Sequence, residues 1–161
     1  MGHLGSHERF TYTAVGDAVN TAARLEGANK AFGTSILLSS ATHAALPADG
    51  AQQAHLLWLD AVVLAGRSAG IDVYTHSEDA ALVTISLALH GHLQACEWAL
   101  ALQCSSDWQA RARARAPQWL AHADQLHRRV QALADADPDT DSAAQTPGVF
   151  SSFSARALDK S

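Results

Sequence analysis

The stretch YTAVGDAVNTAARLEGANKAFG, Tyr12 to Gly33, decides how this chain is read. It opens inside RFTYTAV, Arg9 to Val15, where aromatic and β-branched residues alternate with Phe10, Tyr12 and Ala14 on one side, the period of a strand. Gly16 ends that pattern. Asp17 to Lys30 then carries good helix formers, with Val19, Ala22, Ala23 and Leu25 as an apolar stripe, Asp17 as the expected cap and Gly33 as the stop. Within the helix Asn20 and Arg24 stand one turn apart, so both project from one face. An amide beside a guanidinium is suited to holding negative charge that develops on phosphate. A solvated polar face on an ordinary amphipathic helix has the same spacing.

Beyond Gly33 the run TSILL, Thr34 to Leu38, is apolar and bounded by polar turn residues, which predicts a buried strand. Ser40 to Leu46 makes a short helix, and Pro47, Asp49 and Gly50 mark a loop. Leu56 to Leu64 and Ile71 to Thr75 flank a glycine-containing turn and form a hairpin. The order strand, helix, strand, helix, hairpin is α+β with an antiparallel sheet. From Ser77-Glu78-Asp79 onward, β-branched residues give way to Ala, Leu, Gln and Arg at helical spacing. Two helices are expected, Asp79 to Gln103 and Asp107 to about Ala134. Ser106 or Asp107 would cap the second and Pro117 would kink or split it. Asp135 to Pro147 is acidic and proline-punctuated and reads as a linker. The chain divides accordingly into residues 1–77, a helical tail 78–134 and a flexible C-terminal segment 135–161.

Size sets the frame for this division: 161 residues at 48% hydrophobic suffice for one modest domain and an appendage. A formal charge of −5 without a basic stripe argues against nucleic acid as the principal ligand. Cys96 and Cys104 form no disulfide or zinc framework, so a reduced, cytoplasmic setting is expected. The longest apolar run, Ala80 to Leu89, falls far short of the ~20 residues that span a bilayer, and no membrane segment is expected in this chain. His90, His92, His122 and His127 lack a third ligand at credible spacing and read as surface or satisfied core. Arg111, Arg113 and Arg115 spread around a helix and read as a solvated face.

Gly5-Ser6, Arg9, Tyr12-Thr13, Gly16-Asp17, Val19-Asn20 and Ala22-Ala23-Arg24-Leu25-Glu26 together resemble the signature of class III adenylate/guanylate cyclase catalytic domains. The resemblance covers residues 2 to about 76, through Gly33, the segment Ile36 to Leu46 and the hairpin ending near Tyr74. It implies the C-terminal portion of a ferredoxin-like cyclase domain. Such domains dimerise head to tail, with active sites built from both protomers, and convert ATP to 3′,5′-cyclic AMP and pyrophosphate in signal transduction with Mg²⁺ or Mn²⁺. Asn20 looks like the family's asparagine that orients the ribose, and Arg24 resembles its arginine that stabilises the pentavalent phosphorus. Thr13 falls where the family reads the purine; its hydroxyl can accept a hydrogen bond from the exocyclic amine, which leans towards ATP over GTP. As a β-branched residue it would equally fill a strand.

Two departures from the family pattern matter. Its triphosphate lysine lies in a hairpin turn that here reads Leu64-Ala65-Gly66-Arg67, leaving Ala65 in the lysine's place and Arg67 as a partial substitute. Its metal-binding aspartates and adenine-contacting lysine belong to segments upstream of Gly2. Two-metal phosphoryl chemistry needs those carboxylates, so the chain is expected to be a truncated cyclase, inactive alone. The tail segment GHLQACEWALALQ, Gly91 to Gln103, resembles half of a tetratricopeptide-like hairpin, which cannot bury its apolar face unaided. The alternative reading is a non-catalytic regulatory or interaction module that pairs with a complete cyclase protomer.

Overall fold

The computed structural model describes residues 16–47, 53–64 and 70–136. The strand expected at Arg9 to Val15, together with Thr13, Ala65, Arg67 and the segment beyond residue 136, lies outside them. The elements are α1 (Asp17–Phe32), β1 (Leu38–Ser39), α2 (Ser40–Ala44), β2 (Leu56–Val62), β3 (Ile71–His76), α3 (Ala80–Gln94), α4 (Trp98–Arg115) and α5 (Leu120–Ala136). Short 3₁₀ turns at Gln53–His55 and Pro117–Trp119 precede β2 and α5. The architecture is α+β and mostly helical, with a three-stranded antiparallel sheet in the order β1-β3-β2.

Helix α1 ends where the sequence says it should. Gly33 takes φ 64° and its N–H reaches Asn29 O, the left-handed stop that glycine adopts without steric cost. Its start and its inner face both differ from expectation. Gly16 is the cap, without a side-chain bond, and Asp17 is the first helical residue, where its charge complements the helix dipole. The buried stripe is Leu25, Ala28 and Phe32, at spacings of three and four. Only Leu25 of the expected stripe is buried; Val19 is 42% exposed and Ala22 and Ala23 are also open.

The strand expected from TSILL shrinks to Leu38–Ser39. Thr75 Oγ1 donates to Ile36 O at 2.8 Å, so a side chain occupies a carbonyl that a ladder would use. Ser39 accepts from Thr42 N as the cap of α2 and ends the strand at once. Ile36 is left 55% exposed.

The hairpin is present as read, pairing Leu56 with His76 through to Val62 with Ile71, with an irregularity between Trp58 and Asp60. Every residue from Leu56 to Asp60 is buried, which explains why the run shows no alternation. In the tail, three helices replace the expected two. The first break falls at Ala95-Cys96-Glu97, where Cys96 takes φ 57°, and not at Ser105-Ser106. Ser105 sits inside α4 because its hydroxyl is satisfied there, donating to Leu102 O at 2.8 Å and meeting His127 Nδ1 at 2.8 Å. Asp107, expected as a cap, accepts from Gln103 Nε2 one turn earlier in the same helix. Pro117 splits the helix as expected, ending α4 at Arg115.

One apolar core joins these parts. Phe32 and Leu25 of α1, Leu57, Leu59 and Val73 of the sheet, and Leu82, Leu89, Trp108, Leu126 and Val130 of the tail helices all belong to it. Among the described residues, no helix is long and apolar enough to cross a membrane.

Candidate functional site

Asn20 and Arg24 both lie on the exposed part of α1, one turn apart, while Leu25, Ala28 and Phe32 face the core. The helix is continuous through them, and the Asn20 N–H bonds Gly16 O at 3.1 Å, so the pair stands on the first full turns after the glycine. An amide and a guanidinium one turn apart on a helix can donate together to a single anion. The other two residues expected at the site, Thr13 and Arg67, lie outside the described residues. Among the expected set, the structure therefore brings together Asn20 and Arg24.

Among the described residues, no three or more His, Cys, Asp and Glu side chains gather in a group that could hold a metal ion. The most buried acid, Asp60, is engaged elsewhere.

Away from α1, an ionic and hydrogen-bonded seam joins the tail helices to β2, which is the last strand of the sheet among the described residues. Trp58 N–H donates to Ser86 Oγ of α3 at 3.1 Å, and that hydroxyl in turn donates to Val83 O. His122 of α5 bonds Leu59 O through Nε2 at 2.9 Å. Asp60 accepts both arms of the Arg129 guanidinium, at 2.7 and 2.8 Å, and also its neighbour's N–H at Ala61. The tail helices thus satisfy two backbone groups of β2, Trp58 N–H and Leu59 O, and the Asp60 carboxylate with side chains.

A second seam joins the sheet to α3. Trp58 Nε1 donates to Asp72 Oδ1 at 3.0 Å, and His90 stacks on the Trp58 ring at 4.6 Å with its Nε2 3.2 Å from the same carboxylate oxygen. Burial pushes the Asp72 carboxyl up, but hydrogen bonds from His90 and Trp58 and the charge of His90 outweigh it and hold the group below its ordinary range. Arg113 and Arg115 are exposed, as their spacing suggested, and the partly exposed Arg111 guanidinium grips Asp79 with contacts of 2.8 and 2.9 Å. Asp79 also caps α3 by accepting from Leu82 N. The Cys104 thiol is pushed up by burial and by Asp107, the opposite of an activated nucleophile.

Sequence reasoning missed Asp60 and Arg129 as a pair. A carboxylate inside LLWLDAVVL signals a buried partner cation, because an unpaired charge there is too costly. Which of the arginines answers it is unreadable across 69 residues.

A cleft of about 510 Å³ lies at the other end of α1, lined by Thr34, Ser35, Ile36, His76, Arg115 and Trp119 among others. Gly33 lines it too, and Asn20 lies 13 residues back along the helix, roughly 20 Å away at 1.5 Å per residue. The cleft and the Asn20/Arg24 face are separate features.

No family model matches the chain, and no solved structure matches it. A protein of Rhizobium meliloti (strain 1021) named Adenylate cyclase 1 is 42% identical over 74 residues, 46% of this chain. The match spans 10% of the length of that relative.

Proposed function

We propose that residues 1–77 form the C-terminal portion of a class III adenylate cyclase catalytic domain and contribute the ribose-orienting and transition-state half of an interfacial active site. The observation that carries this reading is the Asn20/Arg24 pair, exposed one turn apart on a helix whose opposite side is anchored in the core. The similarity to Adenylate cyclase 1 supports the same reading. In the reaction, ATP closes on itself to give cyclic AMP and pyrophosphate. Arg24 would meet the negative charge that builds on the α-phosphorus, and Asn20 would hold the ribose so that its 3′-oxygen lies in line. Thr13 would accept a hydrogen bond from the adenine amine and Arg67 would approach the triphosphate. The metal-bearing carboxylates would come from outside these 161 residues, on a facing protomer or a preceding segment, in a head-to-tail pair. The helical tail of residues 78–134, with its tetratricopeptide-like segment, would hold the sheet.

The 161-residue chain assayed alone with ATP and either Mg²⁺ or Mn²⁺ should then make no cyclic AMP above a heat-killed control. Joined to the metal-bearing half of a close homologue, it should become active as a dimer. In that assembly Arg24→Ala should lower kcat by about 10²–10³-fold with a smaller change in KM, the scale of losing one preorganised donor. An active assembly indifferent to Arg24→Ala would remove α1 from the active site.

A second reading, a non-catalytic module that pairs with a complete cyclase protomer, draws support from the apolar residues Val19, Ala22 and Ala23, which are exposed beside Asn20. It predicts that the chain alters the activity of an intact cyclase while Arg24→Ala leaves that effect unchanged.

A further inference from the structure

Two exposed histidines meet at the open end of the β2–β3 hairpin. His55 closes the 3₁₀ turn that leads into β2, and His76 closes β3. Backbone pairing fixes both positions: Ser77 N–H donates to His55 O at 2.8 Å, and Leu56 stands opposite His76 in the ladder. The two imidazole rings lie 5.6 Å apart between centroids, with their planes inclined at 33°. Among the described residues neither ring has a hydrogen bond or an ion pair, so their nitrogens are unspent. In this they differ from His90, His92, His122 and His127, whose rings meet Asp72, Glu97, Leu59 O and Ser105.

That separation suits one shared ion. Zinc holds an imidazole nitrogen at about 2.0–2.1 Å, and the ring centre lies roughly 1.2 Å farther out, so two imidazoles at a tetrahedral angle on one ion have centroids about 5.2 Å apart. The observed 5.6 Å exceeds this by about 0.4 Å, which small side-chain rotations of exposed rings can close. We infer that His55 and His76 form a two-histidine site for a divalent ion of the zinc class, which clips the start of β2 to the end of β3. Imidazole suits zinc, copper and nickel, whereas magnesium and manganese take oxygen ligands, so this site is distinct from the ions that phosphoryl transfer needs. No third His, Cys, Asp or Glu joins the pair among the described residues, and the remaining positions on the ion go to water. His76 borders the cleft of about 510 Å³, which leaves room for that water. In the unfolded chain the whole hairpin separates the two rings, so binding through both favours the folded state.

The experiment titrates the full chain with zinc chloride at about pH 7.5, beside His55→Gln and His76→Gln. In the wild type the ring NMR signals of His55 and His76 should move together as zinc is added, an answer that does not depend on any variant folding. Denaturant unfolding with free zinc at ten times its Kd should show the wild-type folding constant raised about tenfold, and a chelator should reverse the rise. Both rings are exposed, so each variant should match the zinc-free wild type in stability. The chain holds nine histidines, and the variants therefore decide which of them matter. Either substitution should abolish the zinc-dependent rise. Ring signals of His55 and His76 that stay in place at saturating zinc would overturn the site, as would an equal zinc-dependent rise in either variant.

Discussion

Asp60 shows how a single residue can commit a strand to a partner far along the chain. The residue is 1% exposed, on a strand buried throughout its first five positions, and the Arg129 guanidinium meets it with two short bonds. Replacing Arg129 with Met should cost about 3–5 kcal/mol in denaturant unfolding, since it leaves an uncompensated carboxylate in the core. Combining Asp60→Leu with Arg129→Met should recover most of that loss, because matched apolar groups need neither desolvation nor a partner. If the double variant were as unstable as the single, packing and not charge would be the role of the pair. At this scale the sequence is informative about need and silent about the answer. The lone acid in LLWLDAVVL demands a cation, but only the fold selects Arg129 over Arg111, which instead holds Asp79. Likewise Asn20 and Arg24 share a face because helix geometry requires it, whereas the placement of that face relative to the core depended on which stripe the sheet and tail would bury.

At the level of elements, ends with a strong local cause were readable and ends set by tertiary contacts were not. Gly33 and Pro117 stop their helices through backbone geometry alone, and both do so here. The turn between α3 and α4 escaped notice because Cys96 is a non-glycine residue in the left-handed region, which no propensity favours. Cys96→Gly should therefore stabilise the chain by about 0.5–1 kcal/mol, the relief of the left-handed penalty less the added freedom of the unfolded chain. A melting temperature unchanged or lowered in that variant would show that the Cys96 side chain contributes contacts worth more than its strain. The start of α3 allows a finer test, since Asp79 both caps the helix and pairs with Arg111. Asp79→Ser should keep the cap and cost little, because a pair this exposed is weak. Asp79→Ala should cost about 1 kcal/mol more. Hydrogen bonding from Arg111 is the main cause that holds the Asp79 carboxyl below its ordinary range. Its contribution is present above the unfolded value near pH 3.9 and is lost as pH falls through the folded value.

For the molecule as a whole, the sheet and the tail share one core, although the sequence marks a change of composition at Ser77. That change is real as chemistry: it separates strand-forming from helix-forming residues, both of which bury apolar side chains in the same interior. Deleting residues 79–161 should therefore expose Leu57, Leu59 and Trp58, raise the binding of an apolar dye and lower solubility. A truncated chain that stayed monomeric and dye-free by light scattering and fluorescence would show that the sheet does not need these helices.

The seam on β2 also has a consequence in time. A ribosome completes β2 long before it makes the side chains that close it, since Arg129 follows Asp60 by 69 residues. At the ~5–20 residues per second of synthesis, that interval lasts roughly 3–14 s. Throughout it the nascent chain carries an apolar strand whose edge has no occupant from the tail. Nascent chains stalled before His122 should be cut by protease within Leu56–Val62, and those stalled after the whole tail has emerged should resist. During those seconds the strand competes for whatever binds extended apolar segments, so yield in the cell should follow the pace of translation through the codons for α3 to α5 as closely as it follows the stability of the finished fold.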